Sequence, residues 1–331
     1  MTILVTGGAG YIGSICAEAL LQQGHDVIIV DNLQEGCREG VPAGAVFYEG
    51  DVGDRSFLGN VFRRHAINAV MHFAADTRVE TSMTDPGQFF RNNLANGIVL
   101  LDVMRESGCK KIIFSSTAAT FGEPQYMPVD EKHPQQPVNS YGESKLMFER
   151  VLDWYHRAYG LQYNALRYFN AAGASKKLGD AKRTITLLIP VIIQVLLGQR
   201  EKLFIFGKDY DTRDGTGIRD YIHVEDLARA HILALGKLDE YPNGKYNLGN
   251  GQGFTNLEVV QAVEKVTGRT VPFEFAPRRP GDPAVLIASS ELAHEELGWK
   301  PKYAKLEEIV ASAWEWHRTH LRGYEKVENS I

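Results

Sequence analysis

Residues 2–13 read TILVTGGAGYIG, a short apolar run followed at once by three glycines at Gly7, Gly10 and Gly13. The run Ile3 to Thr6 is a buried strand, and Ala17, Leu20 and Leu21 then recur at helical spacing until Gly24. A glycine-rich turn between a strand and a helix lets backbone approach a pyrophosphate. The helix start adds amide donors and a partial positive charge. A second apolar strand, Val27 to Val30, ends at Asp31, 18 residues past Gly13. A carboxylate there accepts from the adenine-ribose diol and repels a 2′-phosphate, which favours NAD over NADP. Strand, glycine turn, helix and acid agree, and together they predict a dinucleotide site.

The same alternation continues outward. Further strands are expected at Val46–Tyr48, Ala69–Phe73, Lys111–Phe114 and Tyr163–Leu166, with helices near Phe57–His65, Asn93–Arg105 and Tyr141–Tyr159. Continuous apolar strands separated by helices mean a parallel sheet covered on both faces, so the fold class is α/β with a Rossmann-type doubly wound sheet. After about residue 170 the pattern turns polar and irregular, at Ala171–Thr184, Asp209–Gly217 and Pro277–Pro283. Residues 1–169 are therefore expected to form the NAD-binding domain, rejoined by a later segment near 220–250. Residues 170–331 would form a smaller α/β substrate lobe.

Composition narrows the class. The 331 residues carry a net charge of −5 with no long basic run, which argues against nucleic acid. Cys16, Cys37 and Cys109 are few and far apart, suggesting neither a disulfide framework nor a zinc site. No stretch reaches the roughly 18 apolar residues of a membrane span. The expectation is a cytoplasmic protein with no metal site and no membrane partner.

A second chemical signal is Tyr141 and Lys145, four apart and so on one helix face. A unit charge about 4 Å from a phenol, at an effective dielectric near 20, contributes about 4 kcal/mol. That would bring a tyrosine from about 10 toward neutrality, making Tyr141 a usable base. Tyr241 and Lys245 share the spacing, but Pro242, Asn243 and Gly244 between them mark a turn. Ser115, Ser116 and Thr117 end a strand at the sheet edge where ligands bind, and offer hydroxyls to a substrate oxygen.

The segments GGAGYIGS, VDNL, FSSTAATFG, SYGESK, RYFNAAG, RDYIHVEDLA, YNLGNG and APRRPGDPA occur in this order. The sequence nearly end to end resembles the UDP-glucose 4-epimerase family of extended short-chain dehydrogenases/reductases. The resemblance implies an isomerase that keeps NAD bound and interconverts UDP-glucose and UDP-galactose through a 4-keto sugar. It implies Tyr141 as base, Thr117 on the sugar 4-oxygen, and Lys145 on the nicotinamide ribose. The implied cofactor contacts are Gly7, Gly10, Tyr11, Ile12, Gly13, Asp31, Asn32, Leu33, Asp51, Val52, Phe73, Ala74, Ala75, Asn93, Tyr141, Lys145, Tyr168 and Phe169. The implied UDP-sugar contacts, besides Thr117, Tyr141 and Phe169, are Asn170, Leu188, Phe204, Phe206, Arg219, Arg279, Asp282 and Leu286. A homodimer through the helices near Asn93–Arg105 and Tyr141–Tyr159 is implied as well.

Several positions depart from the family pattern. Leu187 stands where many members have Asn or His, Phe121 replaces a usual Tyr, and Thr77 stands where some have Lys. Leu286 matches a position that sets pocket size, and its intermediate bulk leaves UDP-N-acetylhexosamine or UDP-pentose as an alternative substrate. A dehydratase would carry an Asp-Glu pair after the site threonine, and a decarboxylase a Glu. Ala118 and Ala119 supply no such second proton-transfer group. A non-catalytic NAD sensor could dispense with the Tyr–Lys pair, which this chain keeps.

Overall fold

The computed structural model describes residues 1–182, 184–279 and 281–324. Six strands run in chain order through the first half: β1 (Thr2–Thr6), β2 (Asp26–Asp31), β3 (Val46–Glu49), β4 (Ala69–His72), β5 (Lys111–Thr117) and β6 (Gln162–Tyr168). They are followed by β7 (Asn170–Ala172), β8 (Leu203–Phe206), β9 (Ile218–His223), β10 (Asn243–Leu248), β11 (Gly253–Thr255), β12 (Phe273–Ala276), β13 (Val285–Leu286) and β14 (Leu321–Tyr324). The main sheet has seven strands in the order β10-β6-β5-β4-β1-β2-β3. Every pairing within it is parallel.

Strand alternation explains why this sheet is covered twice. Ile3 and Val5 point into one core with Val27, Ile29, Ala69 and Met71, under the helices Tyr11–Gln22 and Val224–Gly236. Leu4 points into the other with Ile28, Val30, Val70 and Ile112. That second core is closed by the helices Arg55–Arg64, Asn96–Glu106 and Ser140–Tyr159. Both faces are apolar, so the strands read as unbroken hydrophobic runs. The chain runs outward from β1 to β3 on one side and from β4 on the other. The strand order therefore reverses between β1 and β4, where the glycine turn opens.

The remaining strands build a smaller layer around β9. β7 and β13 pair with it in parallel and β11 antiparallel, while β8 and β12 form a separate parallel pair. Three helices, Leu188–Leu196, Asn256–Thr267 and Leu306–Thr319, pack a third apolar core against it. β9 carries Arg219 and Asp220, and β13 carries Leu286 opposite Arg219, so this layer faces the open edge of the main sheet.

Candidate active site

The glycine turn has the geometry of a cradle. Gly7 has φ +72°, and a Cβ there would meet the Ala74 amide nitrogen at 2.5 Å. At Gly13 a Cβ would meet the Gly7 carbonyl oxygen at 2.3 Å. The helix Tyr11–Gln22 starts at Gly10 with no side chain capping it, so its first amides are open to an anion. Asp31 ends β2 beside this turn, 8% exposed, and accepts from the Ala9 amide at 3.0 Å and the Leu33 amide at 2.9 Å. Burial pushes its carboxyl up from the ordinary value, and the two amides partly offset that. These features fit a dinucleotide: a pyrophosphate over the helix start and a diol at Asp31.

One cavity of about 470 Å³ runs from this turn across the sheet edge to the smaller layer. Gly7, Gly10, Tyr11, Ile12, Gly13, Asp31, Asn32, Val52, Phe73, Ala74 and Ala75 line its first part. Thr117, Tyr141, Lys145, Tyr168 and Phe169 line its centre, and Asn170, Arg219, Asp282 and Leu286 the far part. The cavity thus joins the glycine cradle to Arg219 past Thr117 and Tyr141.

The other expected residues lie off the wall. Leu33 sits in the left-handed region at φ 58° and contributes its amide to Asp31. Asp51 holds Asn32 at 2.9 Å and the Gly53 amide at 2.7 Å. Asn93 is buried in a π-helical stretch, Phe90–Ala95, where it bonds both the amide and the carbonyl of Asp76 and the Ser144 hydroxyl. Leu188 opens a helix and packs with the third core, leaving Leu187 to line the cavity. Phe204 is exposed, and Phe206 lies 3.9 Å under the Arg279 guanidinium, which also reaches Glu80 at 3.5 Å. The far basic group in the cavity is Arg219, paired with Asp282 at 2.6 Å. Lys182, Thr186, Val138 and Asn139 also line the cavity and were not anticipated. The only signal for Lys182 was a basic residue in the polar Ala171–Thr184 segment.

At the centre, Thr117 and Tyr141 meet. The Thr117 hydroxyl accepts from the Ala119 amide at 3.1 Å, and it acts on the Tyr141 phenol by lowering its pKa. The other two hydroxyls of the strand end take different roles. Ser115 bonds the Tyr168 hydroxyl, and Ser116 points to the opposite face, where it donates to Glu149 at 2.5 Å.

The expected electrostatics differ in one respect. Lys145 was expected beside the phenol, lowering its pKa. Its ammonium instead donates to the Ser115 carbonyl oxygen at 2.8 Å and lies 4.8 Å from the Phe114 ring centre. Burial pushes the Tyr141 phenol up from the ordinary value, and the Thr117 hydrogen bond brings it part of the way back. Burial also pulls Lys145 down to about 7, with Glu149 opposing. The physical reason is that two buried groups with few charged neighbours both favour their neutral forms.

This arrangement can be compared with known proteins. Residues 3–249 match the NAD dependent epimerase/dehydratase family. The chain is 50% identical over 327 residues to the UDP-glucose 4-epimerase of Lacticaseibacillus casei, covering 98% of this chain and 99% of that protein. The chain belongs to the UDP-glucose 4-epimerase family. A crystal structure of a UDP-glucose 4-epimerase superposes with a TM-score of 0.96 at 50% identity, covering 98% of this chain and 100% of that one. The UDP-glucose 4-epimerase of Bifidobacterium longum, solved with NAD⁺ and UDP, superposes at 0.92 with 39% identity, covering 98% and 100%. As a member of this family, the chain is an NAD-dependent isomerase with a Rossmann-type sheet. In this epimerase no described helix is long and apolar enough to cross a membrane. Among the described residues, no group of three or more His, Cys, Asp or Glu side chains could hold a metal.

Proposed function

We propose that this chain interconverts UDP-glucose and UDP-galactose within the one cavity, with Tyr141, Thr117 and Lys145 as its reacting centre. The observation that carries the reading is that Thr117, Tyr141 and Lys145 line the same cavity as the glycine cradle and Arg219. Tyr141 takes the sugar's 4-hydroxyl proton onto its phenol oxygen, and Thr117 donates to the 4-oxygen as charge develops there. When bound, NAD would supply the group that accepts and gives back the C4 hydride. Tyr141 gives the proton back, so no net oxidation results. Lys145 acts from behind, as the charge that favours a phenolate once the cofactor fills the site.

The uridine diphosphate belongs at the far end of the cavity. Arg219 has its guanidinium there, and Asp282, now its ion-pair partner, is placed to take a ribose hydroxyl. Arg279 stands on the same rim, stacked on Phe206. Three positioned basic groups, Arg219, Arg279 and Lys182, set a local field that suits a diphosphate although the chain is net −5. Leu286 packs against the cluster of Ala118, Phe121 and Phe169, and its intermediate bulk suits an unsubstituted hexose.

We also propose a homodimer through the face of the helix Ser140–Tyr159 that leaves Trp154 66% exposed, and a cytoplasmic setting, which suits the free thiols of Cys16, Cys37 and Cys109. The test of the activity is to incubate the purified protein with UDP-galactose and no added NAD. UDP-glucose should form without lasting NADH absorbance. Absence of UDP-glucose, with bound cofactor verified, would sink the reading. Sedimentation of the parent and Trp154→Glu proteins tests the dimer.

A further inference from the structure

A second charged pair lies buried directly behind the reacting centre and takes no part in the steps above. Glu149 is one helical turn after Lys145, on the same face of the helix Ser140–Tyr159. Its side chain is 1% exposed and that of its partner, Arg167 on β6, 2%. The pair is bidentate: Arg167 Nε reaches Oε1 at 3.0 Å and Nη2 reaches Oε2 at 2.6 Å. Ser116 of β5 adds a third bond to Oε1. Arg167 also lies 5.3 Å from the Phe121 ring centre.

The placement of these three residues is specific. Ser116 sits between Ser115, whose carbonyl holds Lys145, and Thr117, which shares the cavity wall with Tyr141. Arg167 immediately precedes Tyr168, whose hydroxyl bonds Ser115. One carboxylate thus fastens the helix, β5 and β6 at points adjacent to the groups that must stay aligned. Burying an ion pair is a poor way to gain stability compared with apolar packing, so its siting needs another explanation.

The charges near Lys145 can be enumerated. Its own helix presents Glu149 and β4 presents His72, while β5 supplies the Ser115 carbonyl that it bonds. Around Glu149 stand Arg167 and Tyr163 of β6 and Ser116 of β5. Glu149 favours the Lys145 ammonium.

We propose that Glu149 is a positioning residue for the epimerisation: through Arg167 and Ser116 it keeps the Tyr141–Lys145 helix face in register with Thr117, and it supplies the counter-charge to Lys145. This rests on the roles of Tyr141 and Lys145 given above. Two functions therefore meet in one carboxylate, and they can be separated by substitution.

The experiment compares holoenzymes carrying Glu149→Gln alone and Glu149→Gln with Arg167→Gln. The single variant leaves a buried guanidinium without its counter-charge and can fail to fold. The double variant makes the 149–167 contact neutral and hydrogen-bonded, and removes the carboxylate that faces Lys145. Melting curves and bound NAD verify the fold of each. The double variant should keep its KM for UDP-galactose within about twofold and lose about tenfold in kcat. The alkaline limb of its kcat–pH profile should move down by about one pH unit, because Lys145 gives up its proton more readily. A purely structural pair predicts that the double variant recovers both kcat and the parent limb, and that result would overturn the proposal. So would a lowered kcat with an unmoved limb. If Tyr141→Phe and Lys145→Met holoenzymes kept parental turnover, the underlying reading would fail instead.

Discussion

The Lys145 ammonium donates to the Ser115 carbonyl oxygen at 2.8 Å, and so is fastened to the strand that carries Thr117 rather than to the phenol of Tyr141. Lysine and tyrosine share a helix face, yet the lysine bonds backbone two residues before Thr117, which lowers the tyrosine's pKa. The last residues of β5 thus bear on both members of the pair.

Tyr141→Phe removes the atom that takes the sugar proton while leaving the ring packed against Phe89, 6.4 Å between centres. Turnover of UDP-galactose should fall by about 10²–10⁴-fold, the usual contribution of a positioned general base. UDP binding, measured by calorimetry, should change by less than about threefold, because Arg219 and Asp282 are untouched. Turnover near the parental rate would remove Tyr141 as the base.

The Tyr–Lys spacing and the glycine turn were legible because each is a local constraint. Four residues on a helix share a face whatever surrounds them, and only glycine fits at Gly7 and Gly13. The destination of Lys145 was not legible, because spacing does not say which way a flexible four-carbon chain reaches. Ser116 was grouped with its neighbours although strand alternation turns it to the opposite face, where Glu149 waits. Lys182 was missed for a different reason. It lies in an irregular segment whose path depends on contacts such as Ser175 with Leu178 and Tyr324 with Gly179. No local pattern predicts those. Phe204 and Leu188 match a pattern in sequence but lie off the cavity wall, since a match in a strand or helix does not fix which face is presented.

A dependence on pH follows from Lys145. Burial pulls its pKa down from 10.5 to about 7 in the ligand-free site. The sign is that the ammonium exists below that value and is lost as pH rises through it. The charge that favours the Tyr141 phenolate therefore disappears on the alkaline side. The kcat–pH profile should show an alkaline limb at or above about pH 7, and Lys145→Met should abolish that limb and lower kcat by about 10²-fold or more. A limb that persists in the variant would assign it to another group.

Asp31 predicts cofactor choice. Two backbone amides hold its carboxylate at the end of β2, where a ribose diol would meet it. Burial raises its pKa, so the charged form that accepts from the diol is lost at a higher pH than in an exposed aspartate. Retention of NAD through gel filtration should drop on acidification. Asp31→Asn should weaken NAD binding by about tenfold or more, the range for a hydrogen bond to a charged group, and reduce discrimination against NADP. Unchanged cofactor content and selectivity would show that the diol is held elsewhere.

Arg219 and Asp282 predict how substrate enters. In the ligand-free molecule they pair at 2.6 Å, with the arginine side chain 13% exposed and the aspartate 39%. A diphosphate must compete with that carboxylate. Arg219→Met should weaken UDP by about 10–100-fold, while kcat at saturating substrate changes little, because the guanidinium touches no reacting atom. Titration calorimetry at two salt concentrations checks both parts. Affinity for UDP should fall with added salt in the parent and fall less steeply in the variant.

Leu286 predicts substrate range. It pairs in register with Arg219 across β13 and β9, beside the proposed diphosphate site, and packs against the cluster of Phe121 and Phe169. Bulk added there intrudes on the sugar, and bulk removed enlarges its pocket. Leu286→Tyr should leave UDP-galactose turnover within about threefold and lower any turnover of UDP-N-acetylgalactosamine by at least about tenfold, since one methylene-sized misfit already discriminates by that order. Leu286→Ala should raise the N-acetylated rate relative to the parent, and should lower stability by about 2 kcal/mol through the space left beside Phe121 and Ala288. Coupled assays on both sugars, run with a chemical denaturation curve for each variant, measure the two effects separately. An N-acetylated rate that ignores residue size at this position would place the determinant on another wall, with Val138 and Asn139 the next side chains to vary.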